Sequence, residues 1–172
     1  MLTAPMDYTP GAMHNATRQD YHPIDDNPMS QGTRVHQMAM YTVFDAPLQM
    51  LSDKPSLYER FPECTDFISK VPTVFDDCRT LQGEMGEYIV TAKRKGATWF
   101  VGAMTSWKER ELELKLDFLD NATYKAVIFR DGVNASRNAE DYKLEEKTVK
   151  KGDVLKITMK SGGGWTARFE KM

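Results

Sequence analysis

Arg110-Glu-Leu-Glu-Leu-Lys-Leu-Asp-Phe118 alternates apolar and charged residues without a break. In an extended chain successive side chains point to opposite faces, so Leu112, Leu114, Leu116 and Phe118 share one side and Glu111, Glu113, Lys115 and Asp117 the other. The stretch reads as a strand with one buried and one wet face. Runs of the same kind lie on either side of it, at 87–95, 98–105, 123–130, 144–149, 154–160 and 165–170, most of them separated by Gly, Asn or Asp turn signals. Seven or eight short strands at this spacing predict an antiparallel β-sandwich from about Phe75 onward. Gly162-Gly-Gly164 reads as a tight hairpin turn between the last two strands.

The residues before Phe75 follow another rule. They hold 9 acids and 5 Lys/Arg (5 − 9 = −4), against 16 acids and 18 Lys/Arg afterwards (18 − 16 = +2), and residues 1–55 carry seven of the 11 Met and six of the 8 Pro. Loop and helix are expected there, with Ser30 a candidate cap and a helix over Gly32–Ala46 that places Val35, Met38, Ala39, Thr42, Val43 and Ala46 on one apolar face. Met40, Tyr41 and Phe44 lie outside that stripe, which predicts protein on more than one side of the helix. Pro55 to Lys70 is expected to hold a further short helix. The expected fold class is α+β, mostly β, with 1–74 as one unit and 75–172 as the sandwich domain.

Composition removes several functions. A net charge of −2 with no massed basic block disfavours nucleic acid. Met38 to Leu51, the most apolar stretch, is interrupted by Asp45 and Pro47 and falls short of the roughly 20 residues that cross a bilayer. The first residues, Met-Leu-Thr-Ala-Pro-Met-Asp, have no basic and apolar signal pattern, so no export address is expected. Cys64 and Cys78 lack metal-site spacing and read as free, buried thiols.

Candidate chemistry is sparse. Asp7 and Tyr8, in Pro5-Met-Asp-Tyr-Thr-Pro10, sit where a short strand gives way to a Pro/Gly-rich loop; on a barrel strand that position faces substrate, and otherwise it is a turn. Trp99, Trp107 and Trp165 can stack on sugar or fill a core, and Trp107, at a strand end, is the candidate for exposure. His14, His22 and His36 have no metal-binding spacing. Asp131-Gly-Val-Asn134 with Asn138 and Asp141 offers hard oxygen ligands, but not at calcium-loop spacing; a long hairpin connection with Asp-Gly and Asn at positive φ is preferred, and no metal is placed there.

Ordered blocks along the chain carry a resemblance: Ala4-Pro-Met-Asp-Tyr-Thr-Pro-Gly11, Pro28-Met-Ser-Gln-Gly-Thr-Arg34, Ala46-Pro-Leu-Gln-Met-Leu-Ser-Asp53, Gly86-Glu-Tyr88, Gly102-Ala-Met-Thr105, Asp131-Gly-Val-Asn134 and Gly162-Gly-Gly-Trp165. Together they resemble glycoside hydrolase family 97, whose members act on α-glucosides or α-galactosides, generally in the periplasm of Bacteroidetes. The resemblance implies that residues 2–8 correspond to the last strand of an incomplete (β/α)8 barrel, 31–52 to the helix after it, and 75–172 to a C-terminal, Greek-key-like sandwich. It also implies that the paired catalytic carboxylates of glycoside hydrolysis, and the calcium ligands of inverting members, lie upstream of Met1, so that no catalytic residue and no cofactor is assigned to this chain. Asp7, Tyr8 and Trp107 remain as weak substrate-binding candidates. The implied role is structural or in oligomerisation, with the rest of the barrel or a second copy as partner and α-linked oligosaccharide bound only by a full-length enzyme. An autonomous carbohydrate-binding or protein-interaction module is the alternative, and a helix 32–46 without its barrel partner is expected to weaken the fold.

Overall fold

A computed structural model describes Pro5 and residues 7–172. The sandwich is built as expected. β3 (Asp77–Glu84), β4 (Tyr88–Lys95), β5 (Thr98–Thr105), β7 (Thr123–Asp131), β8 (Tyr142–Lys150) and β10 (Gly164–Lys171) form one antiparallel sheet in the order β3-β4-β5-β10-β7-β8. β6 (Arg110–Lys115) pairs with β9 (Val154–Met159) to cover one face of it. Leu114, Leu116 and Phe118 point into that sandwich against Trp99, Trp165 and Phe169, whereas Glu111, Glu113, Lys115 and Asp117 are exposed. The alternation of the opening stretch is therefore the alternation of inside and outside. β3 is the strand the periodicity did not reveal. It lies at the sheet edge, where its residues are mostly exposed and its ladder is broken by an irregularity between Thr80 and Gln82.

The other face of the sheet is covered by helices: α1 (Arg34–Val43), α2 (Pro55–Arg60) and α3 (Pro62–Ser69). Val35, Met38, Cys64, Phe67 and Ile68 pack there against Phe100, Val127 and Phe129 of the sheet. Burial on both faces explains why the central strand β5, Thr-Trp-Phe-Val-Gly-Ala-Met-Thr, is a nearly continuous apolar run rather than an alternating one. It also corrects the expectation of a helix without a partner. α1 lies on β5 and β10 so closely that a Cβ on Gly102 would stand 2.9 Å from the Ala39 carbonyl oxygen, and one on Gly164 2.6 Å from the His36 nitrogen.

The helix boundaries also shift. Thr33, not Ser30, caps α1, its hydroxyl accepting from the His36 N–H at 3.1 Å, while Ser30 and Gln31 (β2) pair in parallel with Asn15 and Ala16 (β1). Gly32, at φ +92°, makes the turn between strand pair and helix. The helix ends at Val43 because Phe44 is extended, yet all six residues of the expected stripe are buried. The one helix expected over Pro55–Lys70 is two, α2 and α3, because Phe61 leaves helical geometry and Pro62 restarts the helix in its first turn.

Two turn readings and one cysteine reading are revised. The triple glycine is no hairpin, since β9 and β10 belong to different sheets; it carries the chain from one layer to the other, with Gly162 at φ +63°. The β7–β8 connection is a long hairpin loop, but no non-glycine among the described residues has positive φ and Gly132 is not left-handed either. The loop turns by successive short-range bonds instead, such as Arg137 N–H to Asn134 O at 2.8 Å and Asp141 N–H to Asn138 O at 2.9 Å. Cys64 is buried as expected, whereas Cys78 is exposed because it lies on the edge strand β3. Residues 1–4 and 6, and with them most of the expected barrel strand, lie outside the described residues. Among the described residues no helix is long and apolar enough to cross a membrane.

Candidate functional site

Helix α1 organises the polar features of the molecule, and its two ends separate the residues singled out above. At its last turn Tyr8 donates through its hydroxyl to the Met40 carbonyl at 3.1 Å and sets its ring edge-on to Phe44 at 5.5 Å. Burial pushes the Tyr8 hydroxyl up to about 12, so it is a neutral donor committed to the helix. Asp7 beside it is exposed. Trp107 lies at the opposite end, its ring over Gly162, where a Cβ would overlap it, and the Arg18 guanidinium stands 5.7 Å from its centre. Asp7, Tyr8 and Trp107 are therefore not brought together. Trp99 and Trp165 are buried in the sandwich core, which leaves Trp107, 36% exposed, without a second indole beside it.

The histidines are equally dispersed. His14 faces the Pro28 carbonyl, His22 is exposed, and His36 Nδ1 lies 3.0 Å from the Gly163 carbonyl oxygen. Burial lowers the His36 pKa below the ordinary 6.5, which keeps the ring neutral with a proton on Nδ1 for that carbonyl. Among the described residues no three His, Cys, Asp or Glu side chains are grouped to hold a metal ion.

Two buried charges fix the first turn of α1: Asp131, read from sequence as a loop residue, and Arg34, given no role there. Asp131, at the end of β7, accepts from the Thr33 hydroxyl at 2.7 Å, the Lys160 N–H at 2.8 Å and the Gly164 N–H at 3.1 Å. It thus ties the helix cap to the turn between layers. Gly163 leaves room for it, since a Cβ there would come within 2.0 Å of Asp131 Oδ2. Arg34 is 2% exposed, pairs with Glu140 at 3.0 Å, donates to the Met13 carbonyl and lies 3.9 Å over the Phe61 ring. The sequence signal for both is slight: a polar residue at each end of a glycine-marked junction.

Burial pushes the Asp131 carboxyl up to about 6 from the ordinary 3.8, against the three hydrogen bonds that hold it down. Because the folded value lies above the unfolded one, folding favours the protonated form. The cost of the carboxylate is absent below pH 3.8, grows between 3.8 and about 6, and is complete above that. The gap corresponds to about 3 kcal/mol at full ionisation. Urea midpoints measured from acid to neutral pH are expected to fall more steeply for the wild type than for Asp131→Asn, whose amide keeps the shape without the charge. Equal slopes for the two proteins would refute this reading of the carboxyl.

An apolar opening lies beside α1. A groove of about 450 Å³ runs between the helix, the ends of β4 and β5 and the β3–β4 hairpin, and is lined by His36, Phe44, Tyr88, Ile89 and Met104. Glu84 and Glu87 stand on it, and Glu87 is ion-paired with Arg110. Met85, at the hairpin tip, is fully exposed. The opening is a contact surface in chemical character, with apolar walls and a fixed polar rim.

Residues 74–170 match the family model described as "Glycosyl-hydrolase 97 C-terminal, oligomerisation". The chain is 49% identical over 169 residues to a retaining alpha-galactosidase of Bacteroides thetaiotaomicron, covering 98% of this chain and 26% of that protein. It is 25% identical to a probable retaining alpha-galactosidase of Streptomyces bingchenggensis, covering 94% and 23%. Among solved structures it is similar to a Glycoside Hydrolase Family 97 enzyme from Pseudoalteromonas sp. strain K8 in complex with panose, with a TM-score of 0.88 and 33% identity over 98% of this chain and 27% of that one. The chain thus spans about a quarter of the length of the curated relatives it matches.

Proposed function

Because the chain belongs to glycoside hydrolase family 97 through its C-terminal oligomerisation domain, we propose that it is the assembly module of a glycosidase acting on α-galactosides, and that it carries no catalysis by itself. The family match over residues 74–170 is the observation that supports this reading most strongly. The disposition of carboxylates agrees with it. Glycoside hydrolysis uses one carboxyl as acid and a second as base or nucleophile across the scissile bond. On the groove Glu87 is bound to Arg110, and Asp131 is enclosed by its three donors beneath the helix. The relatives' substrate supplies the sugar class, and the rest of a family barrel is the partner expected to provide the acid and base.

Purified chain is expected to release no nitrophenol from nitrophenyl α-galactoside or α-glucoside at any pH, and to self-associate in sedimentation. Hydrolysis abolished by no upstream contaminant would overturn the non-catalytic reading, and a strict monomer the assembly reading. A sugar-binding role is less well supported, because Trp107 is the one exposed indole and Arg18 already lies over it.

A further inference from the structure

We infer that the groove between α1 and the β3–β4 hairpin is the docking surface for a second copy of this chain, with Met85 of each copy seated in the groove of the other. The inference rests on the assembly reading and gives it a place. Of the residues that line the groove, all but His36 and Phe44 fall within the region matched by the oligomerisation family model. Met85 is 101% exposed at the tip of a turn closed by the Glu87 N–H to the Glu84 carbonyl at 3.0 Å, with Gly86 at φ +77°. A flexible thioether held on a tight turn is a projecting apolar anchor.

Met85 itself stands on the rim of the groove, so the knob and the hole share one face. A two-fold contact therefore fills both at once and leaves neither open, which is the closure an isologous dimer requires. The rim is set in advance: Arg110 pairs with Glu87 and lies 4.7 Å over the Tyr88 ring, and the Ser106 N–H donates to the Glu87 carbonyl at 2.7 Å. The opposite sheet edge is unsuited to such a contact. β8 carries Lys143, Glu145, Glu146, Lys147 and Lys150, the charged residues that keep edge strands from pairing.

Sedimentation equilibrium over a dilution series tests this with the chain itself, its Met85→Glu variant and a Val133→Glu control on the β7–β8 loop, where Val133 is 79% exposed. Both substitutions fall at exposed positions, and unchanged melting by circular dichroism confirms the folds. The wild type and the control are expected to dimerise alike, and Met85→Glu to weaken the dimer about a hundredfold or more, since the two-fold axis applies the loss twice. A dimer that Met85→Glu leaves intact would overturn the docking surface and spare the assembly reading. A wild type that stays monomeric would overturn both.

Discussion

Replacing Gly164 with alanine is expected to lower the melting temperature by about 10 °C, the equivalent of about 3 kcal/mol in a domain of this size. The added methyl would stand 2.6 Å from the nitrogen and Cα of His36 and 2.7 Å from the carbonyl carbon of Val35. These are backbone atoms of the first helical turn, and no rotamer relieves them. The turn is itself pinned: the Thr33 N–H donates to the Gly162 carbonyl at 2.9 Å and the Arg34 N–H to the Ala139 carbonyl at 2.8 Å. The helix must lift as a body, opening the layer in which Val35 and Met38 meet Phe100 and Phe129. Gly86→Ala serves as the comparison. Its Cβ meets nothing within 4 Å, so only the left-handed backbone is penalised, by about 1 kcal/mol. Equal melting shifts for the two variants would show that close approach of α1 to β10 does not matter.

Arg34→Met is the second large effect, also about 3 kcal/mol. Methionine keeps the length and an apolar contact with Phe61, but removes the ion pair with Glu140 and the donor to the Met13 carbonyl. The cost arises mainly from the Met13 carbonyl left without its donor and the lost packing of a buried guanidinium, while the half-exposed Glu140 carboxylate loses its cation but keeps access to water. Asn15 connects the two losses, since its N–H donates to the same Glu140 at 3.3 Å. Hydrogen exchange is therefore expected to accelerate at residues 12–16 and around Glu140 beyond the acceleration that the sandwich strands share through the lower global stability. Acceleration spread evenly over the chain would argue that Arg34 is merely one more buried side chain.

The strands of the sandwich were legible because each solvent-facing strand writes its burial as a period of two, and 110–118 writes it without exception. β5 remained legible for another reason: buried on both faces, it is a short apolar run between turns, whereas Trp165-Thr-Ala-Arg-Phe-Glu170 of β10 still alternates. β3 was missed because an edge strand has little burial to record, and the irregularity at Thr80–Gln82 disturbs what remains. Thr33 was overlooked as the cap in favour of Ser30 because both are plausible hydroxyl caps, and the strand pairing that claims Ser30 comes from Asn15, far along the chain. Tertiary partners of this kind leave no local mark. The same holds for Asp131: the sequence places it in a turn, but its helix cap is 98 residues away. The groove was hidden because its walls come from α1 and from two strand ends, and only the methionine in Glu84-Met-Gly-Glu87 hinted that a turn carried an apolar residue outward.

The position of β10 has a consequence for how the protein is made. This strand follows every other in the chain, yet it lies between β5 and β7 and pairs with both. Until it emerges, the β3-β4-β5 meander and the β7–β8 hairpin are separate pieces, each with an open flank where β10 will lie. A folding chain therefore carries two unsatisfied strand edges until β10 docks, and closure of the sheet waits for that one strand. Loss of β10 would leave two half-sheets with sticky borders, a form fit for clumping or for proteolysis rather than for assembly.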